Sequence, residues 1–201
     1  ARLLLRERVE VDVTGASTDV PELIGKARAD LLLVNDGDLT FAKVRLDEDS
    51  WATATAHVGG LTDSLARAVI RGAAWDMTRD AEVSTGDFVQ LVLAGLETET
   101  DIGVVQGVLR QTRMAIDQFA ADAHRQEYLV RLAGRTLELA RRSEPESDRQ
   151  LAFTRSFAGA ARTPEHLATV AALLDGTEQW DGLVIDTDLR WFLLLQLVSA
   201  G

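Results

Sequence analysis

The chain has 201 residues, with 21 basic and 32 acidic side chains and a net charge of −11 at pH 7. A hydrophobic fraction of 46% supplies a core for one large or two small domains. An acidic surface repels phosphate backbones, which excludes nucleic acid as the expected partner. The apolar run 191–195 is too short to span a membrane, so no membrane partner is expected. The sequence has no cysteine, which excludes thiolate ligands and is consistent with a cytoplasmic protein.

Residues 1–46 have a β-rich pattern. Val9, Val11 and Val13 alternate with acidic residues, which is the period of a strand with one buried face. The polar stretch 35–38 lies between two strand-like runs, and its Asp-Gly pair predicts a hairpin turn. A calcium loop is the alternative for this Asn/Asp cluster, but the closing glutamate of a helix-flanked calcium loop is missing. The turn is therefore favoured.

From residue 47 to residue 201 the period becomes helical. A short helix is predicted near 49–57, followed by longer helices near 61–80, 84–98, 101–121, 124–142, 146–160, 164–175 and 187–199. Helix starts are marked by capping residues, among them Ser84, Asp101 and Thr163. A helix pair recurs about every forty residues, which is the period of HEAT and armadillo arrays. The predicted fold is mainly α, a HEAT/armadillo-like α-α superhelix preceded by a short β-rich segment.

Several apolar positions are predicted to face the core. The third helical segment has a stripe at Phe88, Leu91, Val92, Gly95 and Leu96, and the fourth has one that ends at Phe119. Trp75 and Trp191 are also expected to be largely buried packing residues. Replacing either tryptophan with alanine is then expected to cost about 3–5 kcal/mol.

No local motif for catalysis or metal binding is found. The three histidines, His57, His124 and His166, are scattered, and none has a second histidine one helical turn away, as a zincin helix requires. The sequence also lacks a Gly-x-Ser-x-Gly elbow and a phosphate-binding Gly-x-x-x-x-Gly-Lys loop. We therefore predict no catalytic, cofactor-binding or metal-ligating residue in this chain.

Three stretches carry a family resemblance: LLLVNDGDLTFAKVRLD at 31–47, LTDSLARAVIRGAAWDMTRDAE at 61–82 and DTDLRWFLLLQLVSAG at 186–201. Together they resemble the bacterial branch of the aminopeptidase N family, where the end of a β-sandwich domain passes into a helical C-terminal domain. The middle stretch, with Arg67, Trp75 and Asp76, is the most specific. The resemblance implies a β-rich junction at 1–46 and a helical C-terminal domain at 47–201 that is truncated.

Full-length members of that family are gluzincins, zinc-dependent exopeptidases that remove N-terminal residues from peptides. Their His-Glu-x-x-His and Gly-x-Met-Glu-Asn motifs lie in an earlier domain and do not occur in this sequence. The resemblance therefore implies a non-catalytic part of a zinc enzyme, with zinc in the parent protein only. It also implies that the helices cap the active-site cleft and control peptide access, with the catalytic domain of the same polypeptide and peptide substrates as partners.

One alternative from another class stays open at the level of sequence. A free-standing helical-repeat adaptor would bind a protein or peptide in its groove. A zincin motif encoded a few hundred residues upstream of Ala1 would decide for the aminopeptidase. A helix array cut at one end also exposes an apolar face, so a weak homodimer of the isolated chain is expected.

Overall fold

The computed structural model describes residues 2–200, which form eight α-helices. These are α1 (Glu48–His57), α2 (Ser64–Arg79), α3 (Thr85–Gly95), α4 (Ile102–Gln118), α5 (Asp122–Arg142), α6 (Asp148–Ala160), α7 (Pro164–Asp175) and α8 (Thr187–Ala200). Two single 3₁₀ turns occur at Pro21–Leu23 and Val58–Gly60. Each helix was predicted from the sequence, and the bounds differ from the prediction by at most three residues. The mainly α fold is confirmed.

The predicted capping residues begin their helices. The Ser84 hydroxyl accepts a hydrogen bond from the Asp87 backbone N–H at 3.1 Å, and Asp101 accepts one from Val104 at 3.0 Å. Thr163 does the same for His166 at 3.2 Å. Each cap satisfies a backbone N–H group that has no partner within its own helix. These bonds span three residues, so the local sequence is sufficient to place them.

The helices form an array in which packing is between near neighbours. α2, α3, α4 and α6 each contact the next helix and the one after it, and the most extensive contact joins α5 to α6. Side chains of α1 to α4 enclose one core around Ile70, Phe88 and Leu91. Those of α3 to α8 enclose a second core around Phe153 and Phe157. This pattern of contacts is what a stacked helical-repeat array requires.

The predicted stripe of α3 is confirmed, since Phe88, Leu91, Val92, Gly95 and Leu96 are all buried. Phe119, the last residue of the predicted apolar side of α4, packs against Trp75 but is 43% exposed at the C-terminal end of the helix.

The predicted burial of the two tryptophans is correct only in part. Trp75 is half-buried and lies between the rings of Phe88 and Phe119. Trp191 is 61% exposed, so its predicted burial is wrong. The reason is that α8 is apolar all round, with Leu189 and Leu193 turned to the core and Trp191 turned away from it. In a continuous apolar run, the sequence does not indicate which side chains face the core. A large loss of stability on replacing Trp191 with alanine is therefore no longer expected.

The segment before α1 forms no strand within the described residues 2–46. Val9 is half-buried, whereas Val11 and Val13 are exposed, so the alternation has no buried face. A strand is stabilised by ladder hydrogen bonds to a neighbouring strand, and this segment provides none. The turn at 35–38 is present: Asn35, Gly37 and Asp38 have positive φ. The origin of the segment in a β-sandwich domain stays a prediction.

The end of this segment is attached to the helices. Val44 and Leu46 are buried in the core formed by α1 to α4. Lys43 and Arg45 both form ion pairs with Asp80 just after α2. The hydrogen bond from Lys43, together with the nearby arginine charge, lowers the pKa of the Asp80 carboxyl. Residues 43–46 are thus part of the helical body, although they lie outside its helices.

The two phenylalanines beside Trp75 allow a matched test of the core. Phe88 is fully buried with its ring 5.7 Å from that of Trp75, whereas Phe119 is 43% exposed at 6.1 Å. We expect Phe88→Ala to lower the free energy of unfolding by about 3–5 kcal/mol, because a cavity adds to the lost transfer free energy. Phe119→Ala should cost less than half as much. Urea unfolding of both variants is the measurement, and equal losses would contradict this packing.

Candidate functional site

The most deeply buried charged groups are two arginines and one glutamate. Arg67 and Arg71 lie one turn apart on α2, and Glu99 lies in the connection between α3 and α4. These residues are 5%, 3% and 2% exposed. Arg67 approaches the two Glu99 carboxylate oxygens at 3.4 Å through Nε and Nη2, and Arg71 Nη1 donates to Oε2. One carboxylate therefore holds two guanidinium groups.

Other guanidinium donors are directed at backbone carbonyls, whereas the buried Arg71 Nε has no hydrogen-bond partner within residues 2–200. Arg67 Nη1 donates to the carbonyl of Leu61 at 2.8 Å and to that of Thr62 at 3.3 Å. Arg71 Nη2 donates to the carbonyl of Gly95 at 2.9 Å. Buried charges are tolerated when they are paired and hydrogen-bonded in this way. The cluster thus fastens the start of α2 and the end of α3 to the connection that carries the carboxylate.

Gly95 allows this close approach. A Cβ atom at this position would lie 2.8 Å from Val58 Cγ1 and 2.9 Å from Arg71 Nη2. Both distances are shorter than van der Waals contact, so any larger residue would displace the guanidinium or the 3₁₀ turn at Val58. The glycine was predicted as part of an apolar stripe, and its role as the contact point for a buried arginine was missed.

The Glu99 carboxylate stays ionised. Its burial alone would raise the pKa, but hydrogen bonds from Arg71 and Arg67 outweigh this effect and hold the pKa below the ordinary value. A carboxylate fixed between two arginines has no free proton to exchange, so the cluster is a structural clamp. The sequence signal for it was the pair Arg67 and Arg71 on an otherwise apolar helix face.

The three histidines lie on separate helices. His57 ends α1, His124 lies in the first turn of α5, and His166 lies in the first turn of α7. His166 packs edge-on against Phe157, with 5.6 Å between ring centroids, and its burial lowers its pKa. Among residues 2–200, no group of three or more His, Asp or Glu side chains could hold a metal ion. The donor set of these residues does not fit the zinc that the family resemblance implies.

One open cavity of about 680 Å³ lies between α7 and α8. Its wall combines apolar side chains with charged ones: Leu173, Leu174, Leu183, Val184 and Ile185 with Glu146, Asp175, Glu178, Asp181 and Arg190. The loop after α7 shapes it, and there Gly182 has a φ of 71° and passes so close to Pro145 that a Cβ atom would lie 2.6 Å from its Cα. Nothing in the sequence analysis predicted this cavity.

The cavity wall is rigid on one side. Trp180 is 9% exposed, and its Nε1 donates to Glu178 at 2.6 Å. Arg141 lies over the Trp180 ring and also donates to Glu178 at 2.8 Å. Gln150 Nε2 donates to the backbone carbonyl of Asp181 at 2.8 Å. The loop is therefore fastened to both α5 and α6.

Among residues 2–200, each helix is either too short or too polar to span a membrane.

Comparison with known proteins agrees with this architecture. The family model described as the ERAP1-like C-terminal domain matches residues 31–201. The chain is also 52% identical over 200 residues to an aminopeptidase N from Streptomyces lividans. The alignment covers 100% of this chain and 23% of that relative, so the chain spans about a quarter of its length.

The contribution of the buried clamp to the free energy of unfolding can be tested by its dependence on pH. Because the folded-state pKa of Glu99 lies below its unfolded value, its contribution to stability is complete above the unfolded pKa of about 4.5. That contribution is lost as pH falls through the folded-state pKa. We expect Glu99→Gln to reduce the free energy of unfolding at pH 7 by about 3–5 kcal/mol, because two buried arginines lose their counter-charge. The variant should also lose less stability on acidification than the parent chain.

Glu138→Gln is the matched control. Glu138 also accepts from two arginines, Arg135 at 2.7 Å and Arg142 at 2.9 Å, but its side chain is 48% exposed. Solvent screening limits such pairs to roughly 0–1 kcal/mol. Urea unfolding at pH 7 and at a series of acidic pH values is the measurement. Equal losses for the two variants would show that the clamp does not stabilise the fold as described.

Proposed function

Because the chain belongs to the ERAP1-like C-terminal domain family, we propose that it is the non-catalytic C-terminal part of a zinc-dependent aminopeptidase. In the complete protein its helices cap the active-site cleft and control which peptides reach it. The observation that carries the proposal is 52% identity to an aminopeptidase N along the whole chain, which spans only 23% of that relative. The zinc and the residues that cleave the peptide then belong to the other part of the polypeptide.

The array has the mechanical properties that a cap needs. The buried clamp joins α2 to the α3–α4 connection, and an ion-pair network joins that connection to α5. In this network Glu97 accepts from Arg135 at 2.8 Å and from Arg142 at 2.9 Å, and Glu138 accepts from the same two arginines. Such cross-links favour movement of the helices as one body. Closure of a rigid body over a cleft excludes water and limits the length of the bound peptide.

The charge of the chain is compatible with peptide substrates. A net charge of −11 attracts the ammonium group that every aminopeptidase substrate carries at its N-terminus. Around the α7–α8 cavity, Glu146, Asp175 and Asp181 form no ion pair within residues 2–200. The Asp175 carboxylate accepts two hydrogen bonds from Thr177, at 2.9 Å from its backbone N–H and at 2.6 Å from its hydroxyl, and all three carboxylates can attract cationic groups of a peptide.

Residues 1–46 belong to the same proposal as the end of the preceding β-sandwich domain, with 47–201 as the helical domain. Side chains in the described part of this segment are unusually exposed for their type, including Leu4 at 75%, Val13 at 76% and Phe41 at 110%. Contact with the preceding part of the enzyme would remove this apolar surface from water. A cytoplasmic location stays a prediction.

The runner-up is a free-standing helical adaptor, and the α7–α8 cavity is the observation in its favour. Such a protein would bind a peptide there without any catalytic partner. The two functions differ in what lies upstream in the gene. A zincin motif before the first residue supports the aminopeptidase, and another kind of domain supports the adaptor.

The proposal predicts that the purified chain alone binds no stoichiometric zinc and hydrolyses no aminoacyl reporter substrate. The physical reason is that no group of three or more His, Asp or Glu side chains within residues 2–200 could hold a metal ion. Elemental analysis and a chromogenic assay with and without a chelator are the measurements. About one zinc per chain together with chelator-sensitive hydrolysis would contradict the assignment of catalysis to the other part of the protein.

The cap is tested by mixing the chain with the separately expressed catalytic part. We expect binding, seen by sedimentation, and a change in turnover that is larger for long peptides than for a dipeptide-like reporter. The reporter is the internal control, since it fits within the cleft and does not reach a cap. Identical length profiles with and without the chain, and no complex at micromolar concentration, would favour the adaptor.

A further inference from the structure

Two arginines near the end of α6 are directed at the same backbone carbonyl. Arg113 on α4 donates from Nη1 to the carbonyl oxygen of Gly159 at 2.5 Å. Arg162, in the link between α6 and α7, donates from Nη1 to the same oxygen at 3.3 Å and to the carbonyl of Ala161 at 2.6 Å. The two guanidinium groups are therefore neighbours that share one uncharged acceptor. We call Arg113 and Arg162 the arginine pair.

Within residues 2–200, one ion pair serves the two positive charges of the arginine pair. Arg113 Nε donates to Asp117 at 2.6 Å, whereas Arg162 is half-buried and forms no ion pair in this part of the chain. Burial lowers the pKa of Arg162, the charge of Arg113 lowers it further, and Asp117 offsets part of the effect. An anion that contacts both guanidinium groups would remove this repulsion.

Other neighbouring cations of the chain are bridged by a shared carboxylate. Such carboxylates are Glu99 between Arg67 and Arg71, Glu97 between Arg135 and Arg142, and Asp80 between Lys43 and Arg45. In the arginine pair, the backbone carbonyl of Gly159 takes the bridging position, and it carries no net charge. The difference indicates that the carboxylate of this pair comes from another molecule.

The space beside the shared carbonyl has room for such a group. A Cβ atom on Gly159 would lie 3.7 Å from Arg113 Nη1 and 4.0 Å from both Phe192 Cζ and Gln196 Oε1. These are ordinary van der Waals distances, so the missing side chain of Gly159 leaves a gap lined by the other three. Arg113 Nη2 and Arg162 Nη2 donate no hydrogen bond within residues 2–200, and both are accessible to solvent.

We propose that the arginine pair binds a carboxylate of a peptide, either an Asp or Glu side chain or the C-terminal carboxylate. A carboxylate accepts paired hydrogen bonds from guanidinium groups and supplies the negative charge that the carbonyl of Gly159 lacks. The proposal rests on the contacts of Arg113 and Arg162 with α6 and with Asp117. It holds for a part of an aminopeptidase and for a free-standing adaptor alike, since either would bind peptides.

Matched N-acetylated peptides test the ligand class. Acetyl-Ala-Ala-Glu-Ala-Ala-amide carries a side-chain carboxylate only, and its Gln analogue carries none. The Gln analogue with a free C-terminus carries the terminal carboxylate only. Titration at low ionic strength, followed by NMR at the backbone amides of Gly159 and Ala161, should give a Kd on the order of 1 mM for a carboxylate peptide, because the pair is partly screened by solvent. The peptide that binds more tightly identifies the source of the carboxylate.

Arg162→Gln is the diagnostic variant, and Arg110→Gln is its matched control. Arg110 is exposed on α4 and forms no ion pair within residues 2–200, so each substitution removes one unpaired positive charge. We expect Arg162→Gln to raise the Kd of the carboxylate peptide at least about tenfold, because a bidentate, charge-assisted contact is lost. Arg110→Gln should change it less than about twofold, since exposed charges are screened. Circular dichroism verifies that both variants keep their helices.

Three results would overturn the proposal. The first is equal weakening by Arg162→Gln and Arg110→Gln, which would indicate attraction by overall charge alone. The second is equal affinity for the uncharged Gln peptide and the carboxylate peptides. The third is the absence of binding by either carboxylate peptide in the millimolar range.

Discussion

The burial of two guanidinium groups on one helix is the constraint on which the first half of the array depends. Arg67 and Arg71 lie on the face of α2 that packs inward, where an unpaired charge would cost several kcal/mol. Within residues 2–200, Glu99 alone forms ion pairs with them, and it reaches them only if the α3–α4 connection folds back over α2. The placement of α2 relative to the end of α3 is thus fixed by the cluster around one carboxylate. Apolar packing alone would tolerate small sliding movements that these directional bonds do not allow.

Beyond the clamp, the array is held together by contacts between helices that are near neighbours in the chain. The connection that carries Glu99 also carries Glu97, which pairs with arginines of α5. These ion pairs connect the clamp to the second core, where α5 and α6 make the most extensive helix–helix contact within residues 2–200. The loop after α7 is fastened in turn to α5 and α6 through Trp180 and Gln150. A body cross-linked in this way is suited to move as a unit, which is the property that a cap over a cleft requires.

Stacking of this kind has a necessary consequence at its ends. Each helix covers the apolar face of its neighbour, and the outermost helix has no such cover. Within residues 2–200, Trp191 and Val198 on α8 are exposed, as are Leu4 and Phe41 in the segment before α1. The two exposed regions differ in kind. The exposed side chains of α8 lie on a regular helical face, whereas residues 2–46 contain no strand.

The sequence by itself determined the helices and their ends. Ser84, Asp101 and Thr163 act over three residues, and apolar stripes repeat within one or two turns, so these signals are local and readable. The tertiary structure alone decided which groups meet across the chain. Glu99 lies 32 residues from Arg67 and 28 from Arg71, and no local pattern distinguishes it from the other acidic residues. The outward orientation of Trp191 and the missing strands of residues 2–46 have the same cause, because burial and β-pairing depend on a neighbour that lies elsewhere in space.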